Sequence, residues 1–280
     1  TGVVAGLSSV AAHATAVAGN GDVAAHATPG RRVTVVAIMP CTAKKYEAKR
    51  EELSRDGAPD VDHVITTAEL GRMIQEAGIR FADLEPDSMD LPMGVPSGAG
   101  VIFGRSGGVG EAVARFLVEE STGRRETTID LQPREGNQGI RSGVIELADG
   151  ATVRLAVVQG LANARLVAEE ASRGESEYDL VEVMACPGGC IGGAGQPVGF
   201  ARATRERRAA GLGREDHALP LRRSNENPFV RQVYATWLGG TPGSPEAHEL
   251  LHTRFQSRRR IRDTQISLAE ETGEPRLAVK

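Results

Sequence analysis

Along this chain, short continuous apolar runs alternate with stretches whose apolar residues return every three or four positions. VTVVAI (33–38) is a β-branched run, the pattern of a strand covered on both faces in a mostly parallel sheet, and TVRLAVVQG (152–160) and DLVEVM (179–184) read as further strands. VDHVITTAELGRMIQEAG (61–78) reads as a short strand running into a helix. Thr66 and Glu69 have capping-box spacing, Leu70, Met73, Ile74 and Ala77 share one helical face, and Gly78 is placed to stop it. SGAGVIFGRSGGVGEAVARFLVEE (97–120) is a glycine-dense turn feeding a helix through Val109, Val113, Phe116 and Leu117. Further helices are predicted over LANARLVAEEA (161–171), from about Pro228 to Leu238, and over HELLHTRF (248–255). Strands alternating with helices predict an α/β fold with parallel pairing.

Composition narrows the function class. The 280 residues are 25% charged with a net charge of −4, so no basic excess marks a nucleic-acid footprint. No apolar run approaches the roughly 20 residues that span a bilayer. The Ala-, Gly- and Val-rich opening has neither a basic stretch nor a long apolar segment, so it does not read as a secretory signal, and a cytoplasmic protein is expected. GRSGGVGEA (104–112) lacks the spacing and the Lys-Ser/Thr pair of a phosphate loop and reads as a tight turn. HELLH (248–252) matches H-E-x-x-H, but without a downstream third ligand a capped helix explains it better than zinc. SRRR (257–260) reads as a solvated face.

Three cysteines, an odd count, suit ligands or free thiols rather than a disulfide framework. Two apolar runs, VVAIMPC and VEVMAC, both end in Met-x-Cys, placing Cys41 and Cys186 at strand ends where α/β folds gather ligands. Cys190 follows in CPGGC, then GGAGQP. Glycines let backbone approach a bulky inorganic group and aim N–H donors at it. Four thiolates hold an iron–sulfur cubane. A buried free Cys that packs as a small hydrophobe accounts for Cys41 alone equally well, less so for CPGGC.

At these residues the sequence resembles the iron-iron hydrogenases. IMPCTAKKYEAKR (38–50) and VEVMACPGGCIGGAGQP (181–197) are similar to that family's second and third cysteine motifs. DVDHVITTAELGRMIQEAGI, SGAGVIFGRSGGVGEA, VVQGLANAR, SNENPFVRQVY and ELLHTRF follow in the family's order. The resemblance implies two lobes of mostly parallel sheet flanked by helices, with a metal site buried between them. It divides the chain into a poorly matched remnant (1–32), a partial catalytic domain (33–255) and a charged linker or tail (256–280).

It further implies an H-cluster, a 4Fe-4S cubane joined to a two-iron subsite, with Cys41, Cys186 and Cys190 as ligands and Cys190 bridging. Lys44 would donate to an iron-bound cyanide, Met39 and Met184 would line the two-iron pocket, and Phe103 would pack beside it; Glu47 would orient the Lys44 segment. The parent activity would be reversible oxidation of H2 to protons and electrons. A ferredoxin-type or NAD-linked partner would take the electrons, and hydrogenase maturation proteins would insert the cofactor. The family's Thr-Ser-Cys-Cys-Pro motif, source of the fourth cubane ligand, is absent from this sequence. A fragment is the simpler explanation than a degenerate paralogue; either way the chain alone is not expected to make hydrogen. Ser8 is a candidate proton-path residue. The alternative is a hydrogenase-like iron–sulfur protein without H2 chemistry, an assembly factor or a sensor.

Overall fold

The structure, a computed structural model, describes residues 34–55, 57–87, 95–124, 129–199 and 202–252. Ser8, the remnant 1–32 and the tail 256–280 lie outside these. The first lobe pairs strand β1 (Val36–Met39) in parallel with β4 (His63–Thr66), Met39 lying opposite Thr66. Between them run helix α1 (Ala43–Glu47) and a small antiparallel hairpin, β2 (Ser54–Arg55) with β3 (Ala58–Pro59). Helix α2 (Thr67–Glu76) follows β4. Its capping box forms as predicted: the Glu69 N–H donates to Thr66 Oγ1 at 3.1 Å, and the Thr66 N–H donates to Glu69 Oε2 at 2.7 Å.

The second lobe is a four-stranded sheet in the order β5 (Gln132–Arg134), β6 (Asn137–Glu146), β7 (Thr152–Gln159), β8 (Leu180–Met184). Helix α5 (Leu161–Ser172) makes the crossover from β7 to β8, which pair in parallel. The expected α/β layering holds, but this sheet is mixed: β5, β6 and β7 are antiparallel. The cause is local. At the Ala148-Asp149-Gly150 turn the Asp149 carboxylate accepts the Ala151 N–H at 2.9 Å and Gly150 takes φ 81°, so β6 folds straight back into β7 without a helix.

Helix α4 (Gly108–Thr122) covers one face of the sheet, burying Ala114 and Val118 against Ile145, Leu155 and Val157. Val167 of α5 covers the other with Ile140, Ala156 and Val158. A stretch sandwiched this way has no polar side, which is why residues 155–158 of β7, LAVV, read as an unbroken apolar run. The buried stripe of α4 is Gly110, Ala114, Arg115 and Val118; Phe116, predicted to face the core, is 43% exposed. The sheet comes so close that a Cβ on Gly110 would meet the Leu155 side chain at 2.7 Å, so even alanine there would require Leu155 to shift.

Three more helices follow among the described residues, α6 (Arg202–Ala218), α7 (Pro228–Trp237) and α8 (Pro245–Leu251), while α3 (Gly98–Ile102) precedes α4. Helix α6 lies against α3. Its anchor is ionic: Asp216, 2% exposed, accepts two bonds from the buried Arg115 guanidinium at 2.8 and 2.7 Å and two from Arg222 at 3.0 and 2.9 Å. Burial raises the Asp216 pKa, but the two guanidiniums outweigh it and leave it below the usual carboxylate range.

Candidate metal centre

Both Met-x-Cys segments leave the carboxyl end of a parallel strand. Cys41 follows β1 and Pro40, directly ahead of α1. Cys186 follows β8, and CPGGC then turns through Gly188 (φ 83°) and Gly189 (φ 89°), a left-handed pair that side chains would strain. The glycines also admit close neighbours. A Cβ on Gly189 would lie 2.6 Å from the Ser106 nitrogen, and Ser106 N–H donates to the Gly188 carbonyl at 2.9 Å. The Ile191 N–H donates to the Gly104 carbonyl at 3.0 Å, so the turn after α3 is fastened along the thiol loop.

The two lobes meet at the thiols. The Gly195 N–H donates to the Pro40 carbonyl at 3.3 Å and the Ala68 N–H donates to the Gly195 carbonyl at 2.9 Å. A Cβ on Gly193 would overlap that Pro40 oxygen, and one on Gly195 would stand 2.8 Å from the Cys41 nitrogen. Cys41, Cys186 and Cys190 are all free and half-buried. Burial first, then the negative charges of Cys41 and Cys186, push the Cys190 thiol above its ordinary pKa, while the Lys44 ammonium pulls it down. Lys44 is paired with Glu47, one turn further along α1.

Met39 and Met184 are half-buried at the two strand ends. Phe103, at the end of α3, is 37% exposed and precedes the Gly104 carbonyl that receives Ile191. His248 and His252 of the HELLH segment stack at 4.4 Å on a short helix capped by Ser244, away from any thiol motif in sequence. Among the described residues no group of three His, Cys, Asp or Glu is gathered tightly enough to hold a metal ion. Cys190 lies within electrostatic reach of the Cys41 and Cys186 thiols, and thiolates are the ligands that hold iron–sulfur clusters. A cubane takes four such ligands, and three thiols stand here.

Several residues that shape this region escape sequence reading. Glu182, buried in β8, accepts the Gly107 and Gly110 N–H groups at 2.6 and 2.8 Å, placing a carboxylate on the N-terminus of α4. A lone acid inside the apolar run LVEVM was its signal. Gln159 Oε1 accepts the Gly188 N–H at 2.9 Å. Arg208 of α6 donates to the carbonyls of Ile191 and Pro197, each at 2.9 Å, clamping the chain just past Cys190. Nothing in the charged sequence of α6 announced that role.

Comparison with known proteins agrees with this geometry. A model described as the C-terminal domain of the iron only hydrogenase large subunit matches residues 7–194, and one described as the iron hydrogenase small subunit matches 202–258. The chain is 42% identical over 234 residues to the NADP-reducing hydrogenase subunit HndD of Solidesulfovibrio fructosivorans, covering 83% of itself and 40% of that protein. It is 31% identical over 239 residues to a probable cytosolic Fe-S cluster assembly factor of Aedes aegypti, covering 81% of itself and 48% of that protein. Among solved structures, the [FeFe]-hydrogenase HydA1 of Chlamydomonas reinhardtii superposes with a TM-score of 0.72 at 36% identity, over 89% of this chain and 68% of that one. No helix among the described residues is long and apolar enough to cross a membrane. The two lobes joined at their thiol-bearing strand ends thus agree with the sequence match, and the chain belongs to the family formed by the C-terminal domains of iron-only hydrogenase large subunits.

Proposed function

We propose that Cys41, Cys186 and Cys190 ligate an iron–sulfur cubane and that this chain is the corresponding part of an H2-oxidising and H2-producing enzyme. The single supporting observation is that the strand end bearing Cys41 is bonded through Pro40 to the segment that follows Cys190, where glycine backbone replaces side chains. When bound, the H-cluster supplies H2 cleavage and the redox change. The chain's own residues ligate, shield and donate. Lys44 is an ammonium near the thiols, able to donate to an anionic ligand of the cluster. Met39, Met184 and Phe103 would wall the neighbouring pocket with soft or apolar surface. Glu47, paired with Lys44, would orient it. No fourth cysteine stands in this sequence, so the fourth cubane position would be filled by an exogenous thiol or another ligand. Electrons would leave to a ferredoxin-type or NAD(P)-linked partner, in keeping with the relative named as NADP-reducing.

The similarity to an assembly factor supports a second reading, an iron–sulfur module that binds other proteins and performs no H2 chemistry. Production of the chain alongside hydrogenase maturation proteins, without oxygen, separates the two. Infrared bands of iron-bound carbon monoxide and cyanide are expected under the first reading. Iron and sulfide uptake without those bands selects the second. No uptake of iron at all overturns both.

A further inference from the structure

One buried donor beside the thiol loop has nothing to donate to. Ser106 is 8% exposed, and its hydroxyl finds no hydrogen-bond partner among the described residues. A buried hydroxyl without a partner is costly and rare, and it calls for an explanation. Its place in the fold offers one. The Ser106 backbone N–H is already committed to Gly188, and the Gly189 α-carbon packs against the Arg105–Ser106 peptide, between Cys186 and Cys190 in the chain. On one side the Ile191 N–H binds the Gly104 carbonyl; on the other Glu182 takes the Gly107 N–H. The residue is therefore held rigidly against the loop that carries two of the three thiols. The neighbouring Arg105 Nε, which can only donate, is likewise buried without a partner, while its Nη2 is paired with Glu111. Two orphaned donors on one turn match an acceptor-rich neighbour, which sulfide and thiolate sulfurs are.

Resting on the cubane reading, we propose that the Ser106 hydroxyl donates a hydrogen bond to the cluster's sulfur, either an inorganic sulfide or a coordinating thiolate, and so raises its reduction potential. Hydrogen bonds to cluster sulfurs stabilise the more negative, reduced state, one of the recognised settings of iron–sulfur potentials. Ser106 is then a cofactor-contacting residue whose hydroxyl is unemployed in the metal-free protein.

The test uses the full chain, reconstituted anaerobically with ferrous iron and sulfide in excess small thiol, as wild type, Ser106→Ala and Ser106→Thr. Redox titration followed by electron paramagnetic resonance reads the cluster directly, without any assay of H2. At a fixed poise, Ser106→Ala is expected to lower the reduced-to-oxidised ratio about tenfold, equivalent to about 59 mV for a one-electron couple, and Ser106→Thr to restore it. In the metal-free chain, Ser106→Ala should leave the melting temperature unchanged or raise it, since an unpaired buried polar group is removed. Equal potentials in loaded wild type and Ser106→Ala overturn the assignment while leaving the cubane reading intact. A lowered melting temperature in metal-free Ser106→Ala also overturns it, by revealing a protein partner for the hydroxyl. Failure of the wild type to take up iron and sulfide overturns the assignment together with the reading beneath it.

Discussion

The two lobes present their cysteines in the same way but are built to different depths. In the second, Leu155, Ala156, Val157 and Val158 of β7 and Ile140 of β6 are fully buried, each sheet face having its own helix. In the first, Val36 and Ile38 of β1 are 46% and 51% exposed, and neither α1 nor α2 buries a residue. The second lobe carries its own apolar core, whereas the first holds Cys41 in place through backbone contacts at Pro40 and a capped helix start. A metal centre shared between them would thus rest on one deeply packed wall and one shallow wall.

The largest effect should come from the ionic anchor of α6. Asp216→Ala removes one of the two carboxylates that pair the buried Arg115, leaving Glu111, and should cost about 3–5 kcal/mol in urea unfolding. A loss below about 1 kcal/mol, the worth of an exposed pair, would show that solvent reaches this network. Next, Leu155→Ala should cost about 2–5 kcal/mol. Ile38→Ala, on the open face of β1, should stay within about 0.5 kcal/mol, as surface substitutions do. Equal losses at these two positions would erase the contrast between the lobes.

Gly193→Ala addresses the seam. The added methyl group meets the Pro40 carbonyl, so the strand end bearing Cys41 must move; about 1–3 kcal/mol is expected, with a fall in iron and sulfide uptake after reconstitution. Uptake equal to wild type would mean that the seam does not position Cys41. The smallest effect belongs to Glu69. Lys45, then the Thr66 N–H and hydroxyl, hold its carboxyl down to about 2 from an ordinary 4.5. Its folded-state value lies below the unfolded one, so its contribution is present above pH 4.5 and fades as pH falls toward 2. Glu69→Gln should therefore flatten the acid limb of a stability profile in that window and change little in slope at pH 7, read as melting temperature against pH.

Much of the site was legible because its parts carry local signals. The β-branched runs ending at Met39 and Met184, the Thr66–Glu69 capping box and the CPGGC turn each announce a geometry through residue type and spacing. Strand β6 was not legible: NQGIRSGVIE mixes glycine and polar positions, and its burial is decided by β5 and β7 on either side. Helix α6 was missed for a related reason. RATRERRAAGLGREDHA lacks an apolar stripe: among its described side chains the deeply buried one is Asp216, neutralised by arginines outside the helix. Ser106 gave no sign either, since a serine among glycines reads as turn material until its surroundings close over it.

The position of Cys41 ahead of α1, and of Cys186 beyond β8, means that a ligand grasping both would close a loop of roughly 145 residues. Such a cross-link restricts the unfolded chain as a long-range staple does, by about 4–5 kcal/mol on chain-closure grounds. The inorganic core would then act as masonry as well as chemistry. Loading it would finish the folding of the shallow lobe, and stripping it would loosen that lobe first.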